Sequence, residues 1–137
     1  MPLELTIRDE STDGRVTGET VVEFLTESIT VEELIKSRVY QEVQDYNQRR
    51  SGVFTGLVRP AEAEPEERGF KLQKSRLIDW NEQYEIARAA FEKGQVLILV
   101  DDRQVDRLDE RIELRPAIGD RAATSVSFLR LTPLVGG

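Results

Sequence analysis

Cysteine and histidine are both absent from the 137 residues. Without cysteine there is no disulfide framework, no thiolate nucleophile and no thiolate zinc site. Without histidine there is no imidazole base, no histidine-containing triad and no usual zinc ligand. Any catalysis by the chain itself would have to rest on carboxylates, lysine, tyrosine or serine. A long apolar run is missing too. The longest, Val96 to Val100, falls far short of the roughly 20 residues that span a bilayer, and Met1-Pro2-Leu3-Glu4 has no basic and then apolar leader. A cytoplasmic protein with no membrane partner is expected. Positive charge is also in deficit: 19 Lys plus Arg against 26 Asp plus Glu leave a formal charge of −7. That is the wrong sign for neutralising phosphates, so nucleic acid is not expected as a partner.

What is present is enough to fold. Hydrophobic residues make up 39% of the chain and charged residues 33%, a balance that supports a core under a highly charged surface rather than disorder. The length suits a single domain, residues 1–137, that needs no metal or disulfide staple.

Leu3-Glu4-Leu5-Thr6-Ile7-Arg8 alternates apolar and polar residues, which predicts a strand with one buried face. Turn formers from Asp9 to Gly18 and a second alternating run from Glu19 to Leu25 complete a predicted hairpin. Thr30, three residues before Glu33, predicts a helix start in which the hydroxyl caps a free N–H and Glu33 reaches back to the cap. Val31, Leu34, Ile35, Val39, Val43 and Tyr46 then make one apolar stripe, with the other face charged and solvated. Periodicity lapses from Asn47 to Arg76, where Ala61 to Arg68 reads as an exposed acidic loop between short strands at Val53 to Val58 and Phe70 to Leu72. Asp79 caps a second predicted helix with a stripe of Trp80, Tyr84, Ala87 and Phe91, stopped by Lys93 and Gly94.

Val96 to Val100 is rich in β-branched residues and bounded by Gly94 and Asp101-Asp102, which predicts a buried strand followed by a turn. Arg103-Gln104-Val105 predicts a brief partner strand, and Leu108, Ile112 and Leu114 are scattered core residues. The last predicted strand is Thr124 to Leu131, followed by Thr132-Pro133-Leu134-Val135-Gly136-Gly137. A hairpin, a helix and later strands predict an α+β layout in which the last strand lies beside the first, parallel to it, in the sheet centre.

Three pieces of this pattern resemble the ubiquitin-like, or β-grasp, family. They are the hairpin leading into Thr30-Val31-Glu32-Glu33-Leu34-Ile35, the stretch from Gln95 to Asp106 with a coil at Leu108 to Leu114, and Ser127 to Leu131 running into Gly136-Gly137. The resemblance implies a mixed sheet with a helix across one face, here carrying an insertion from about Asn47 to Gly94 that holds a second helix and a loop. It also implies a protein modifier and not an enzyme. Its C-terminal glycine would be adenylated, passed on as a thioester and joined by an isopeptide bond to an amine on a target. The partners so implied are an activating enzyme that uses ATP, a conjugating enzyme, a deconjugating protease and the target, with the free modifier a monomer. The chain itself would carry no cofactor, no metal and no catalytic residue.

Within that resemblance Gly137 and Gly136 are the conjugation residues, and Leu131, Thr132, Pro133, Leu134 and Val135 are the tail that partners read. Glycine fits the task because it has no Cβ, so the backbone can pass through a narrow adenylating site and adopt many φ/ψ values on the way. The nucleophiles and bases would then belong to the partners, which accommodates the missing Cys and His. Two departures from ubiquitin stand out. The stretch before the diglycine is uncharged and contains Pro133, which removes one possible main-chain bond, and the insertion is foreign to the minimal fold. As a divergent, insertion-bearing chain it resembles the diglycine modifiers that occur in bacteria beside dedicated conjugation enzymes more than it resembles ubiquitin. A sulfur carrier ending in a thiocarboxylate and a non-conjugated ubiquitin-like binding module are the alternatives. Asp101-Asp102 reads as a turn rather than a cation site, and Trp80 and Phe91 read as core residues rather than an exposed patch.

Overall fold

Alternation at the N-terminus does build a hairpin. The computed structural model describes residues 3–49, 53–54, 57, 63–66, 69–72 and 79–131. Strand β1 (Leu3–Glu10) buries Leu5, Ile7 and Asp9 and exposes the residues between them, and it pairs antiparallel with β2 (Val16–Phe24). Both strands run further into the turn-forming stretch than its composition predicts. Only Ser11 to Arg15 make the turn, closed by Ser11 N–H to Arg15 O at 2.9 Å and Gly14 N–H to Ser11 O at 3.0 Å, with Gly14 at φ 84°. Asp9 and Gly18 stay in the ladder. The register shifts between Asp9 and Glu10, a bulge that leaves Thr17 free to donate its hydroxyl to Asp9 O.

A short strand that periodicity did not predict, β3 (Ser28–Thr30), precedes helix α1 (Val31–Arg49). The Thr30 hydroxyl accepts the Glu33 N–H at 3.1 Å, as expected of a cap. The reciprocal arm differs, because Glu33 Oε1 meets the Thr30 hydroxyl at 3.4 Å and the Thr30 backbone belongs to a strand ladder. The stretch expected as an insertion follows. Its strands β4 (Val53–Phe54), β5 (Ala63–Glu66) and β6 (Gly69–Leu72) form a small antiparallel sheet in the order β4-β6-β5. The acidic stretch expected to be a loop is therefore partly a strand: Ala63–Glu66 pairs with Gly69–Leu72, and Pro65 is tolerated because β5 lies at an edge. The rest of that stretch, residues 61–62 and 67–68, lies outside the described residues, as do residues 55–56 and 58 of the predicted strand before it.

Helix α2 (Trp80–Glu92) starts at Asp79, whose carboxylate accepts the Asn81 N–H at 3.0 Å. It stops at a left-handed glycine: Gly94, at φ 75°, donates to Phe91 O, and Gln95 donates to Ala90 O. Tyr40 meets Trp80 edge-on with centroids 5.4 Å apart, and Lys36 lies over the Tyr84 ring at 5.3 Å. Ascending α1 thus means descending α2, so the two helices run antiparallel and α2 extends the helical layer. Phe91 is buried as expected, whereas Trp80 is half-buried at the edge of the core.

Strands β7 (Val96–Val100) and β8 (Arg103–Val105) form a hairpin whose two turn residues, Asp101 and Asp102, both have positive φ, 50° and 66°. A two-residue turn of that hand matches the twist of the strands it joins. The expected coil after Val105 includes a strand, β9 (Arg111–Glu113), paired antiparallel with β3. The final strand, β10 (Val126–Arg130), pairs parallel with β1 and antiparallel with β7. The main sheet is therefore mixed and five-stranded, in the order β2-β1-β10-β7-β8, with the last strand central and parallel to the first as expected. The stripe of α1 shares one core with Leu5, Ile7, Val22, Phe24, Ile98, Val126 and Phe128, so one face of the sheet is covered in an α+β arrangement. Among the described residues no helix is long and apolar enough to cross a membrane.

A Cβ added at Gly94 would meet no atom within 4 Å, so any cost of a side chain there comes from the left-handed backbone alone. Gly94→Ala is expected to lower the unfolding free energy by about 1–2 kcal/mol in urea titrations, and Gly94→Asn by less, because asparagine tolerates that conformation better.

Candidate functional site

The predicted conjugation residues Gly136 and Gly137 and the tail residues Thr132, Pro133, Leu134 and Val135 lie outside the described residues. The structure does describe the root of that tail. Leu131, the first of the predicted tail residues, is 44% exposed, and its N–H donates to Gln95 O at 2.9 Å. Strand register places the root at one end of the sheet. Arg130 faces Val96 at the start of β7, and Leu129 faces both Leu97 and Glu10, the last residue of β1. The root is thus flanked by the β1–β2 turn on one side and the glycine stop of α2 on the other.

Beneath this end of the sheet lies a buried charge cluster that sequence reading missed. Arg38 of α1 is fully buried. Its Nη1 and Nη2 donate to Asp9 Oδ1 and Oδ2 at 2.5 and 2.7 Å, and its Nε donates to Glu42 Oε1 at 3.2 Å. The guanidinium carbon also stands 4.6 Å from the centre of the Phe128 ring, and Phe128 is the cross-strand neighbour of Asp9 on β10. A planar fork with a fixed set of donors suits this position, because it satisfies one carboxylate with two bonds and still reaches a second. The signals were in the sequence: Asp9 shares the inward parity of Leu5 and Ile7, and Arg38 and Glu42 follow Leu34 at steps of four. The charged face of α1 is therefore not wholly solvated.

The cluster bears a net charge of −1 when all three groups are ionised. Burial alone would push Arg38 toward its neutral form, but attraction to Glu42 and Asp9 outweighs it and raises its pKa. Burial raises the Glu42 pKa, and its hydrogen bonds and attraction to Arg38 offset that only in part. Glu42 also accepts the Leu57 N–H at 3.3 Å, while Arg130 Nη1 donates to Leu57 O at 3.3 Å. Leu57 belongs to the insertion and is only 1% exposed. One buried residue of the insertion is thus held on both backbone groups, by the charge cluster and by the last residue of β10, immediately before the tail.

The remaining acidic candidates are structural. Asp101 Oδ1 accepts the Ser125 N–H at 3.0 Å, and its Oδ2 stands 3.0 Å from Arg115 Nη2. The Ser125 N–H is the largest influence lowering the Asp101 pKa, with Arg115 adding to it. Asp101 therefore ties the β7–β8 turn to the start of β10. Among the described residues no three His, Cys, Asp or Glu side chains are gathered as metal ligands. Near the tail root every charged group of the cluster is engaged by another group of the fold. No protein-family model matches the chain, and neither a curated protein nor a solved structure matches it.

Arg38→Leu leaves two buried carboxylates without their cation. It is expected to cost about 3–5 kcal/mol in equilibrium unfolding, a loss partly recovered when Asp9→Asn and Glu42→Gln are added. Glu42 also predicts a pH dependence. Its folded pKa lies above the ordinary value of 4.5, so the contribution of its proton to stability is complete below pH 4.5 and is lost as pH rises through the raised value. Urea midpoints measured across that window are expected to fall for the wild type relative to Glu42→Gln as pH increases.

Proposed function

We propose that this chain is a ubiquitin-like protein modifier of β-grasp type, joined through Gly137 to an amine on a target protein. The observation that carries the reading is at Arg130 and Leu131, where the central strand β10, parallel to β1, is followed in the sequence by Thr132-Pro133-Leu134-Val135-Gly136-Gly137. The strand order β2-β1-β10-β7-β8, with α1 across one face, is the arrangement expected of that fold. The insertion then occupies the interval between α1 and β7.

In this reading the chain is a substrate rather than a catalyst. The Gly137 carboxylate attacks the α-phosphorus of ATP in an activating enzyme, releasing pyrophosphate and forming an acyl-adenylate. A partner thiolate displaces AMP to give a thioester. A target amine then displaces the thiolate and loses a proton, leaving an isopeptide bond that a protease can cut. All of this belongs in the cytoplasm, where ATP and reduced thiols are found together. The two glycines let the carboxylate enter a site too narrow for side chains, and partners would bind Leu131 to Val135 through main-chain bonds and side-chain pockets.

Intact mass spectrometry after incubation with ATP and a cognate activating enzyme tests the proposal. An enzyme-linked thioester is expected for the full chain and its complete loss on deletion of Gly136 and Gly137. A product heavier by one sulfur-for-oxygen exchange would replace conjugation with sulfur carriage, and undiminished cellular activity of the deletion variant would replace both with a binding module.

A further inference from the structure

A cavity of about 340 Å³ opens between β8 and β9, at the end of the sheet opposite the tail root. Its apolar lining is Val100, Val105 and Ile112, and its charged rim is Asp101, Arg103, Arg111, Glu113 and Arg115. Three arginines against two carboxylates leave the rim at 3 − 2 = +1, on a chain whose total is −7. Four of the five rim charges are already engaged. Arg115 pairs with Asp101 at 3.0 Å. Ser28 Oγ donates to Glu113 at 3.0 Å and accepts from Arg111 Nε at 2.9 Å, bridging those two. The Arg103 side chain has no hydrogen-bond or ion-pair partner among the described residues, while its backbone pairs with Val100. The uncompensated charge of the rim is therefore one guanidinium.

The outer edge of the backbone beside it is also open. Strand β8 is the last in the order β2-β1-β10-β7-β8, so among the described residues the ladder groups facing away from β7 have no neighbouring strand. Arg103 and Val105 lie on the same face of β8, two residues apart, opposite Val100 and Ile98 of β7. An extended peptide laid along β8 would present side chains at the same spacing, one to the apolar floor at Val105 and the next on that side to Arg103.

We propose that the β8–β9 cavity binds an extended segment of a partner protein that carries an aliphatic side chain and a carboxylate two residues apart. Main-chain bonds to β8 supply the register, Val105 and Ile112 receive the aliphatic group, and Arg103 pairs with the carboxylate in a charge-assisted contact. Excess donors on the rim select an acidic segment over a basic one. The cavity lies at the end of the sheet opposite Leu131, and neither Gly136 nor Gly137 lines it, so the proposal goes beyond the modifier reading and can fail independently of it.

An NMR titration of the full chain with the acetylated, amidated pentapeptide Leu-Val-Glu-Val-Glu tests this. Saturable shifts are expected at the Arg103, Gln104 and Val105 amides and at the Val105 and Ile112 methyl groups. Arg103→Ala, an exposed change that should leave the fold intact, is expected to weaken binding about tenfold. Deleting Gly136 and Gly137 should change nothing. The same peptide with lysine in place of glutamate should not bind. Absence of saturation, shifts confined to another face, equal affinity for the lysine peptide, or an unchanged affinity in Arg103→Ala would each overturn the proposal.

Discussion

One fully buried guanidinium organises the end of the molecule from which the tail leaves. Arg38 joins three elements distant in sequence: β1 through Asp9, β10 through the Phe128 ring and its own helix through Glu42. Removing such a cation from water is costly, and the cost is offset only because nearly all its donors find oxygens in good geometry. That requirement restricts how α1 can sit on the sheet. A rotation of the helix that misaligned the fork from Asp9 would leave opposite charges buried without each other. Apolar packing alone would tolerate such a rotation more readily, because it has no directional bonds to lose.

The same cluster extends to the stretch between α1 and β7. Glu42 and Arg130 hold the two backbone groups of Leu57, so the insertion is fastened where the central strand ends. Helix α2 adds a second attachment by lying antiparallel along α1, with Tyr84, Ala87, Ala90 and Phe91 in the common core. The stretch between α1 and β7 is therefore built into the helical layer through α2 and bonded to the end of β10 through Leu57.

Directional polar bonds also close the opposite end of the sheet. Asp101 joins the β7–β8 turn to Ser125 and Arg115, the Thr124 hydroxyl accepts the Arg115 N–H, and Leu114 N–H reaches Glu27 O. Together with the β3–β9 ladder these bonds give an irregular stretch a defined path without regular elements of any length. The cavity beside β8 follows from that path, because β9 pairs with β3 and, among the described residues, no strand pairs with the outer edge of β8.

Local pattern in the sequence determined a great deal. Alternation in Leu3 to Arg8, the Thr30 and Asp79 caps, the α1 stripe, the Lys93-Gly94 stop and the β-branched run at Val96 each specify an element through forces acting within a few residues. The central parallel position of β10 followed from counting those elements. Two short strands, β3 and β9, were not legible, because three-residue segments carry no periodicity and acquire their form only from each other across 80 residues of chain. The β5–β6 pairing was hidden by acidic composition, which reads as loop until a partner strand is known. The buried cluster lay between these cases. Parity and helical phase marked Asp9, Arg38 and Glu42 as inward-facing, but charge argued for solvent, and only the tertiary structure decided between them. It could do so because burial of an ionised group depends on whether its counter-charge arrives at the same place, and that is a property of the fold rather than of any local stretch.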